Sequence, residues 1–288
     1  MATCYRHPSR ETGVSCSSCG RPICPDCMTT TPVGMRCPEC SRQRTVVKTL
    51  RNTARRPEVT FALIAVNVAA FLAEGNISIS GGPTDGVYLK GALLGSFPGL
   101  PGQGVAYGQW WRIITSGFLH ENLLHIGFNM YVLYILGQML EPALGRAKFA
   151  LIYFVSLLAG SLGALIVSPH TLTVGASGAV FGLLGAAAVE MRARQIPIMQ
   201  SGVGGLILIN LVISFTLPGI SWGGHIGGLI GGALVAIALQ LGARYRAQAL
   251  AIGASVVLGA ACFAGSIAVA HSSLMEAPSV PTQLIPGQ

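Results

Sequence analysis

Seven long apolar segments alternate with polar or glycine- and proline-rich stretches over most of this chain. The segments lie at residues 59–74, 121–140, 147–167, 173–190, 198–217, 222–241 and 249–270. Each is close to the ~20 apolar residues that cross a bilayer as a helix. The pattern therefore predicts seven transmembrane helices and an all-α membrane protein.

Composition supports this prediction and excludes a soluble enzyme. Of the 288 residues, 51% are hydrophobic and 10% are charged, whereas soluble domains carry roughly 25% charged residues. The net charge of +8 is also found in nucleic-acid-binding proteins, but ten of the 18 basic residues precede residue 57 and the others lie at segment ends or in loops. That placement sets membrane orientation, so we expect the lipid bilayer, and no nucleic acid, as a partner.

The basic residues predict which side of the membrane each loop faces. Sixteen lie in the N-terminal region and in alternate loops, and two, Lys90 and Arg112, lie in the long connection 75–120 on the opposite side. Cytoplasmic loops carry the excess of lysine and arginine in multi-pass proteins. We therefore expect a cell-membrane protein with a cytoplasmic N-terminus and an external C-terminus.

The connection 75–120 is rich in glycine and proline and contains Trp110 and Trp111. Long connections without secondary structure are uncommon unless they have a function. Two interpretations stay open at this point: an external loop with aromatic side chains at the lipid headgroups, and a loop that shapes a site.

Five polar side chains lie near the outer ends of three predicted helices. His120, His125 and Asn129 open the second, while Ser177 in the fourth and His225 in the sixth lie about one turn in. Each alone has an ordinary explanation, such as a hydroxyl bonded to the preceding turn or an interhelical amide. Together, at one depth on three helices, they indicate a functional site, because polar groups in a bilayer are costly.

A serine and a histidine at this depth favour acyl transfer by an activated hydroxyl. A carboxylate usually orients such a histidine, but the two aspartates, Asp26 and Asp85, lie outside the apolar segments, and the glutamates lie at segment ends or beyond. We therefore predict a Ser177–His225 dyad, with the histidine oriented by packing and no cofactor for catalysis. Backbone N–H groups near Ser177, with His125 and Asn129 one turn apart, are candidate donors for an oxyanion hole.

Glycines recur at spacings of three and four in the fourth and sixth segments. They are Gly175, Gly178, Gly182 and Gly185 in the fourth, and Gly224, Gly228 and Gly232 in the sixth. Small residues at these spacings let membrane helices approach closely. We expect these two helices to pack together and bring the serine near the histidine.

Four motifs, in this order, resemble the rhomboid family of intramembrane serine proteases. They are Trp111-Arg112 in the long connection, HENLLHIGFN at 120–129, GASG at 175–178 and HIGG at 225–228. The glycine–serine motif alone is weak, because serine hydrolases of other folds share it, but the four together are specific. The resemblance covers residues 59–242 and implies a six-helix core.

The resemblance also implies the roles of individual residues. Ser177 would be the nucleophile and His225 the general base, with His125, Asn129 and the Ser177 backbone forming the oxyanion hole. Phe181 stands where many bacterial rhomboids have a tyrosine stacked on the catalytic histidine, so the ring is kept, the hydroxyl is lost, and we expect activity to survive.

Substrate access follows from the resemblance as well. The long connection would be a partly embedded loop held in place by Trp111 and Arg112. Substrates would be single-span membrane proteins, cut near the outer end of an unwound helix, and segment 198–217 would be the lateral gate through which they enter. The segment 249–270 adds a seventh helix after the core.

Two other functional classes remain as alternatives. A catalytically inactive rhomboid-like protein would bind client helices without cutting them, but the presence of both Ser177 and His225 disfavours it. A small transporter would place its polar residues at the membrane midplane, whereas here they cluster near the outer face.

The chain divides into four expected parts. Residues 1–40 form a cysteine-rich head, 41–58 a basic linker, 59–242 the rhomboid-like core, and 243–288 the seventh helix with an external tail.

The cysteine-rich head contains ligand pairs with the spacing of metal sites. The pairs are Cys4 and His7, Cys16 and Cys19, Cys24 and Cys27, and Cys37 and Cys40. Eight ligands make two tetrahedral zinc sites, and the reducing cytoplasm disfavours the alternative, a disulfide framework. Closed four-ligand sites are structural, so we expect two structural Zn²⁺ and a role in binding a cytoplasmic protein partner.

The pattern of these pairs resembles a B-box-type zinc finger, in which alternate pairs share a metal. The resemblance implies one ion held by Cys4, His7, Cys24 and Cys27, and the other by Cys16, Cys19, Cys37 and Cys40. The spacing by itself leaves this pairing open.

Overall fold

The computed structural model describes residues 2–42, 56–75, 78–79, 86–97, 102–200, 202–216 and 219–276. The chain divides into two compact units, Met1–Ala54 and Arg55–Gln288. The first is small and cysteine-rich, and the second holds the long apolar helices that the structure describes.

The N-terminal unit is built from short elements around its cysteines. Strands β1 (Ala2–Thr3) and β2 (Glu11–Thr12) pair antiparallel, as do β3 (Thr29–Thr31) and β4 (Gly34–Arg36). A 3-10 helix, Pro25–Cys27, and helix α1, Pro38–Arg42, complete the described elements. The buried interior consists of Ile23 and six of the cysteines, which is too little apolar surface to stabilise so small a fold without cross-links or metal.

The structure describes nine α-helices in the second unit. They are α2 (Glu58–Ala73), α3 (Gly86–Gly91), α4 (Arg112–Thr115), α5 (Leu123–Leu144), α6 (Arg146–Val167), α7 (Ser177–Ala193), α8 (Val203–Thr216), α9 (Trp222–Arg244) and α10 (Gln248–Glu276). Seven of them correspond to the seven apolar segments of the sequence. The short helices α3 and α4 lie in the long connection between α2 and α5.

Among the described residues, four helices are long and apolar enough to cross a membrane: α5, α6, α9 and residues Gln248–Leu274 of α10. Helices α2 and α8 are apolar but shorter, with 16 and 14 residues. Helix α7 has 17 residues, and residues 179–187 in its centre are all buried, so its sides face other helices more than lipid. The predicted all-α, multi-pass membrane fold is confirmed.

Helix α9 packs most extensively on α6 and α7, and glycines permit this close contact. A Cβ atom at Gly228 would overlap the carbonyl oxygen of Gly178, so α9 meets α7 backbone to backbone. The glycine pattern of the fourth and sixth segments predicts this contact correctly. The close approach of α6 was not predicted: a Cβ atom at Gly163 would overlap the carbonyl oxygen of Gly223.

A carboxylate from another helix caps the N-terminus of α2. Glu141 of α5 is 1% exposed and accepts hydrogen bonds from the backbone N–H groups of Val59 and Thr60, at 2.9 and 2.8 Å. The Thr60 hydroxyl also donates to it, at 2.7 Å. Free N–H groups and the helix dipole stabilise a negative charge at this position. The buried carboxylate therefore fixes α2 against α5.

Helix α7 begins at Ser177 and not at residue 173, where the sequence predicts it. The preceding residues adopt another conformation, because Thr173 and Leu93 exchange two backbone hydrogen bonds of 2.9 Å in an isolated bridge. Gly175 then has a φ of 124°, a value that favours glycine. Ser177 is therefore the first residue of its helix and not one turn into it.

Candidate active site

A cavity of about 400 Å³ lies between helices α5, α7, α8 and α9. Five residues singled out from the sequence line it: Ser177, His225, His125, Asn129 and Phe181. Most of the remaining wall is apolar, which is typical of a binding cleft with a few convergent polar groups. The fold therefore brings the predicted polar residues of three helices to one place.

Ser177 lies at the N-terminal end of α7, and its side chain is half-buried. The N–H group of Val180 donates the first hydrogen bond of this helix, to the Ala176 carbonyl at 3.0 Å. The backbone N–H of Ser177 therefore has no acceptor within its own helix. Together with the helix dipole, it favours negative charge beside the serine.

His225 lies in the first turn of α9, and its side chain is 8% exposed. Two contacts hold the imidazole ring. The ring of Phe181 stacks on it, and Nδ1 of His225 lies 2.6 Å from the hydroxyl oxygen of Ser214. The expectation that packing alone orients this histidine is therefore wrong, because a hydrogen bond contributes as well.

Ser214 and Asn210 also line the cavity, and neither was predicted from the sequence. They are four residues apart on α8, a spacing that places both on one face of the helix. Polar groups inside a membrane helix are functional candidates by default. A polar pair on one face of the apolar segment 198–217 is thus the signal that could have identified them.

His125 and Asn129 lie on one face of α5. The Asn129 side-chain amide donates to the His125 carbonyl at 3.0 Å. A Cβ atom at Gly175 would lie 2.7 Å from Nε2 of His125 and 3.4 Å from the hydroxyl oxygen of Ser177. The His125 imidazole and the Ser177 hydroxyl therefore approach the same short stretch of backbone.

His120 lies outside the cavity wall. It is fully buried, its ring meets that of His125 edge-on at 5.1 Å, and its Nε2 accepts a hydrogen bond of 3.5 Å from the Ala176 backbone N–H. These contacts link His125 on α5 to the residue that precedes Ser177. His120 is therefore a structural neighbour of the site.

Arg112 anchors the long connection from within. It is 1% exposed and donates hydrogen bonds to the carbonyl oxygens of Leu89 and Ala92, at 2.8 and 2.6 Å. Trp111 donates to the carbonyl of Lys90 at 3.0 Å, while half of its side chain stays exposed.

The backbone connects the residues held by Arg112 to the candidate active site. The residue after Ala92 is Leu93, which forms the bridge with Thr173, four residues before Ser177. Of the two interpretations of the long connection, the structure favours a loop that shapes a site. Trp111 and Arg112 act at a distance from the cavity and do not line it.

Residues 2–42, the described part of the N-terminal unit, contain two ligand clusters. The first consists of Cys4, His7, Cys24 and Cys27, whose donor atoms all lie within 4.8 Å of one another. Representative separations are 3.9 Å between the sulfurs of Cys4 and Cys27, and 3.3 Å between Nδ1 of His7 and the sulfur of Cys24. Ligand atoms about 2.0–2.3 Å from a tetrahedral zinc ion have separations of this size, whereas bonded sulfurs would be ~2 Å apart.

The second cluster consists of Cys16, Cys19, Cys37 and Cys40. The backbone N–H of Cys37 donates to the sulfur of Cys16 at 3.3 Å. This is the largest of the hydrogen bonds that, against the opposing effect of burial, lower the pKa of the Cys16 thiol to about 6. A thiolate is the form that binds metal. Because the ligand atoms of each cluster lie within 4.8 Å of one another, both clusters could hold a metal ion. Their membership is the one that the resemblance to a B-box-type finger implies.

Comparison with known proteins agrees with the geometry of the second unit. The family model described as Rhomboid domain matches residues 107–242. This range includes Trp111, Arg112 and the cavity residues named above.

Three relatives show how far the similarity extends. Rhomboid protease GluP of Bacillus subtilis (strain 168) is 34% identical over 65% of this chain and 36% of its own length. Putative rhomboid protease YdcA of the same organism is 36% identical over 46% of this chain and 68% of its own length. Rhomboid-like protease 1 of Toxoplasma gondii is 34% identical over 55% of this chain and 59% of its own length. With its multi-pass helical fold and the matched domain, the chain belongs to the rhomboid family.

Proposed function

We propose that this protein is an intramembrane serine endopeptidase that hydrolyses peptide bonds in or near the transmembrane segments of other membrane proteins. The observation that carries this proposal is the presence of Ser177 and His225 in one cavity, with the hydroxyl at a helix N-terminus and the imidazole held by two contacts. Family membership supports the same reaction, since GluP and YdcA are named as rhomboid proteases.

In the proposed reaction, Ser177 attacks the carbonyl carbon of the scissile peptide bond while Nε2 of His225 accepts its proton. The tetrahedral intermediate collapses when His225 returns that proton to the leaving amine, which leaves an acyl-enzyme. Water then loses a proton to His225 as it attacks the acyl carbon. The second tetrahedral intermediate collapses when His225 returns this proton to the Ser177 oxygen, which breaks the ester bond and frees the Ser177 hydroxyl and the carboxylic acid product.

Three donors are proposed to hold the oxyanion of each tetrahedral intermediate. They are the backbone N–H of Ser177, the His125 imidazole and the Asn129 amide. An amide nitrogen carries two hydrogens, and the one that Asn129 donates to the His125 carbonyl leaves the other for the substrate. Loss of one such donor typically lowers kcat by about 10²–10³.

Substrates are proposed to be single-span membrane proteins that enter past α8. One side of this helix carries exposed apolar residues such as Ile209 and Val212, which suits contact with lipid. Asn210 and Ser214 contribute to the cavity wall instead. A short helix between lipid and cavity supports α8 as the lateral gate, with cleavage near the outer end of an unwound substrate helix.

For the N-terminal unit we propose two structural zinc ions, a cytoplasmic location and a protein partner. Three thiolates with one imidazole, and four thiolates, are the donor sets of structural zinc. Each ion would join two separate turns of a unit whose interior holds little apolar surface. The excess of basic residues on the N-terminal side supports the cytoplasmic location, and with it an external C-terminus.

The test is cleavage of a fluorogenic single-span peptide by the purified full-length protein in proteoliposomes. The peptide carries glycine and other small residues at the outer end of its helix. We expect cleavage by wild type and by the control Ser255→Ala, and none by Ser177→Ala or His225→Ala. Wild-type protein that binds the peptide but leaves it intact would instead establish the helix-binding, inactive alternative.

A further inference from the structure

The hydroxyl of Ser214 makes two short contacts at the edge of the cavity. Its oxygen lies 2.6 Å from Nδ1 of His225 and 2.6 Å from the backbone carbonyl oxygen of Asn210. The side chain is 3% exposed, so water does not compete for these contacts. Ser214 belongs to α8, whereas His225 belongs to α9.

These two contacts determine where the proton of the imidazole lies. Both heavy-atom distances require a hydrogen between the atoms, and a serine hydroxyl has only one to give. The Asn210 carbonyl has no hydrogen, so the Ser214 hydroxyl must donate to it. The hydrogen of the other contact must then come from Nδ1 of His225, with Ser214 as the acceptor.

A neutral histidine with its hydrogen on Nδ1 has a free electron pair on Nε2. That is the form a general base toward Ser177 requires. The stacked ring of Phe181 does not select this form, because a ring flipped by 180° would stack equally well. The flip would break the hydrogen bond to Ser214.

We propose that Ser214 is a positioning residue that orients His225 and selects its Nδ1-protonated tautomer. The proposal rests on the role of His225 as general base. Ser214 takes the place that a carboxylate has in a catalytic triad, but it carries no charge. The carbonyl oxygen of Asn210 accepts the hydrogen of the Ser214 hydroxyl and so fixes its direction.

The experiment compares Ser214→Ala and Ser214→Thr with Ser255→Ala in proteoliposomes. Ser255 is the matched control, because it is 1% exposed and donates to the carbonyl of Ala251 at 2.8 Å, and no histidine of the described residues is bonded to it. We expect Ser214→Ala to lower kcat about tenfold at unchanged KM, the effect of one hydrogen bond on the barrier. Ser214→Thr restores the hydroxyl and most of the rate, and Ser255→Ala matches wild type.

A second readout is independent of activity. In protein labelled with ¹⁵N-histidine, the nitrogen shifts of His225 identify which ring nitrogen carries the hydrogen. We expect the Nδ1-protonated tautomer in wild type and in Ser214→Thr, and a mixture of tautomers in Ser214→Ala.

Two results would overturn the role of Ser214: a wild-type kcat in Ser214→Ala, or the same His225 tautomer with and without the hydroxyl. Failure of the proposed function looks different: either wild type leaves the peptide intact, or Ser177→Ala and His225→Ala cleave it as fast as wild type. An inactive Ser177→Ala beside a fully active Ser214→Ala therefore rejects the positioning role alone.

Discussion

The aromatic ring of Phe181 stacks on the imidazole of His225, with ring centroids 4.1 Å apart and planes inclined by 13°. Phe181 lies one turn after Ser177 on α7, and His225 lies in the first turn of α9. The stack is possible because Gly178 and Gly228 let the two helix backbones touch. The contact between α7 and α9 therefore both packs the two helices together and brings Phe181 against the histidine of the candidate dyad.

Phe181→Leu should lower the rate of peptide cleavage about three- to tenfold, because an aromatic pair contributes about 0.5–1.5 kcal/mol beyond its area. Phe181→Tyr keeps the ring and should stay close to wild type. Cleavage rates in proteoliposomes test both variants. Phe154→Leu is the control, since that ring is exposed on α6. A Phe181→Leu protein that is folded and as fast as wild type would show that the stack does not position His225.

Gly228→Ala should lower the free energy of unfolding by about 3 kcal/mol, because the new methyl group meets the Gly178 backbone and the helices must separate. Unfolding in mixed micelles measures this. Gly253→Ala on α10 is the matched control, with no neighbouring atom within 4 Å of its added carbon. It should change stability by about 1 kcal/mol or less. If Gly228→Ala and Gly253→Ala have the same free energy of unfolding, the close packing of α9 on α7 at Gly228 is contradicted.

Glu141→Gln should lower the free energy of unfolding by about 2 kcal/mol, since hydrogen bonds to a charged group are the stronger ones. The glutamine side chain has only one acceptor oxygen. Its NH₂ group would face one of the backbone N–H groups of α2, and two donors cannot form a hydrogen bond with each other. Glu58→Gln is the control: it lies in the first turn of α2 and pairs with Arg146 in an exposed ion pair. It should cost about 0.5 kcal/mol or less. If the two variants lose the same free energy of unfolding, the buried carboxylate of Glu141 stabilises the protein no more than the exposed ion pair of Glu58.

Elemental analysis of the purified protein should find two zinc ions per chain. Replacing Cys4 and Cys27 together should remove one ion, because both residues belong to the first cluster. Replacing Cys27 and Cys37 together should remove both ions, because one residue is lost from each cluster. Cys262→Ser, in α10, should leave the zinc content unchanged. If the two double variants retain the same amount of zinc, the grouping of the ligands is wrong.

Local sequence properties were sufficient to predict much of this fold. The length of apolar segments predicts the seven helices, since a bilayer sets their minimum span. The spacing of Gly178 and Gly182 and of Gly228 and Gly232 predicts the contact of α7 with α9, because such a stripe allows close backbone contact. The basic residues in alternate loops predict the orientation of the helices in the membrane, with a cytoplasmic N-terminus.

Other features depend on residues far apart in the chain and were therefore missed. The start of α7 at Ser177 depends on the bridge between Thr173 and Leu93. The contact of Ser214 with His225 depends on the rotation of α8 about its axis, which hydropathy does not specify when nearly every face is apolar. Local patterns identified the candidate dyad and the ring stacked on its histidine, but not the hydroxyl group that contacts Nδ1 of that histidine.

The most direct test of the central claim is labelling by a fluorophosphonate probe, which reacts with an activated serine. The full-length protein in detergent is compared with Ser177→Ala, His225→Ala and the control Ser255→Ala. We predict labelling of wild type and of the control, with none in the other two variants. An unlabelled, folded wild-type protein, or labelling that persists in Ser177→Ala, would contradict an activated Ser177.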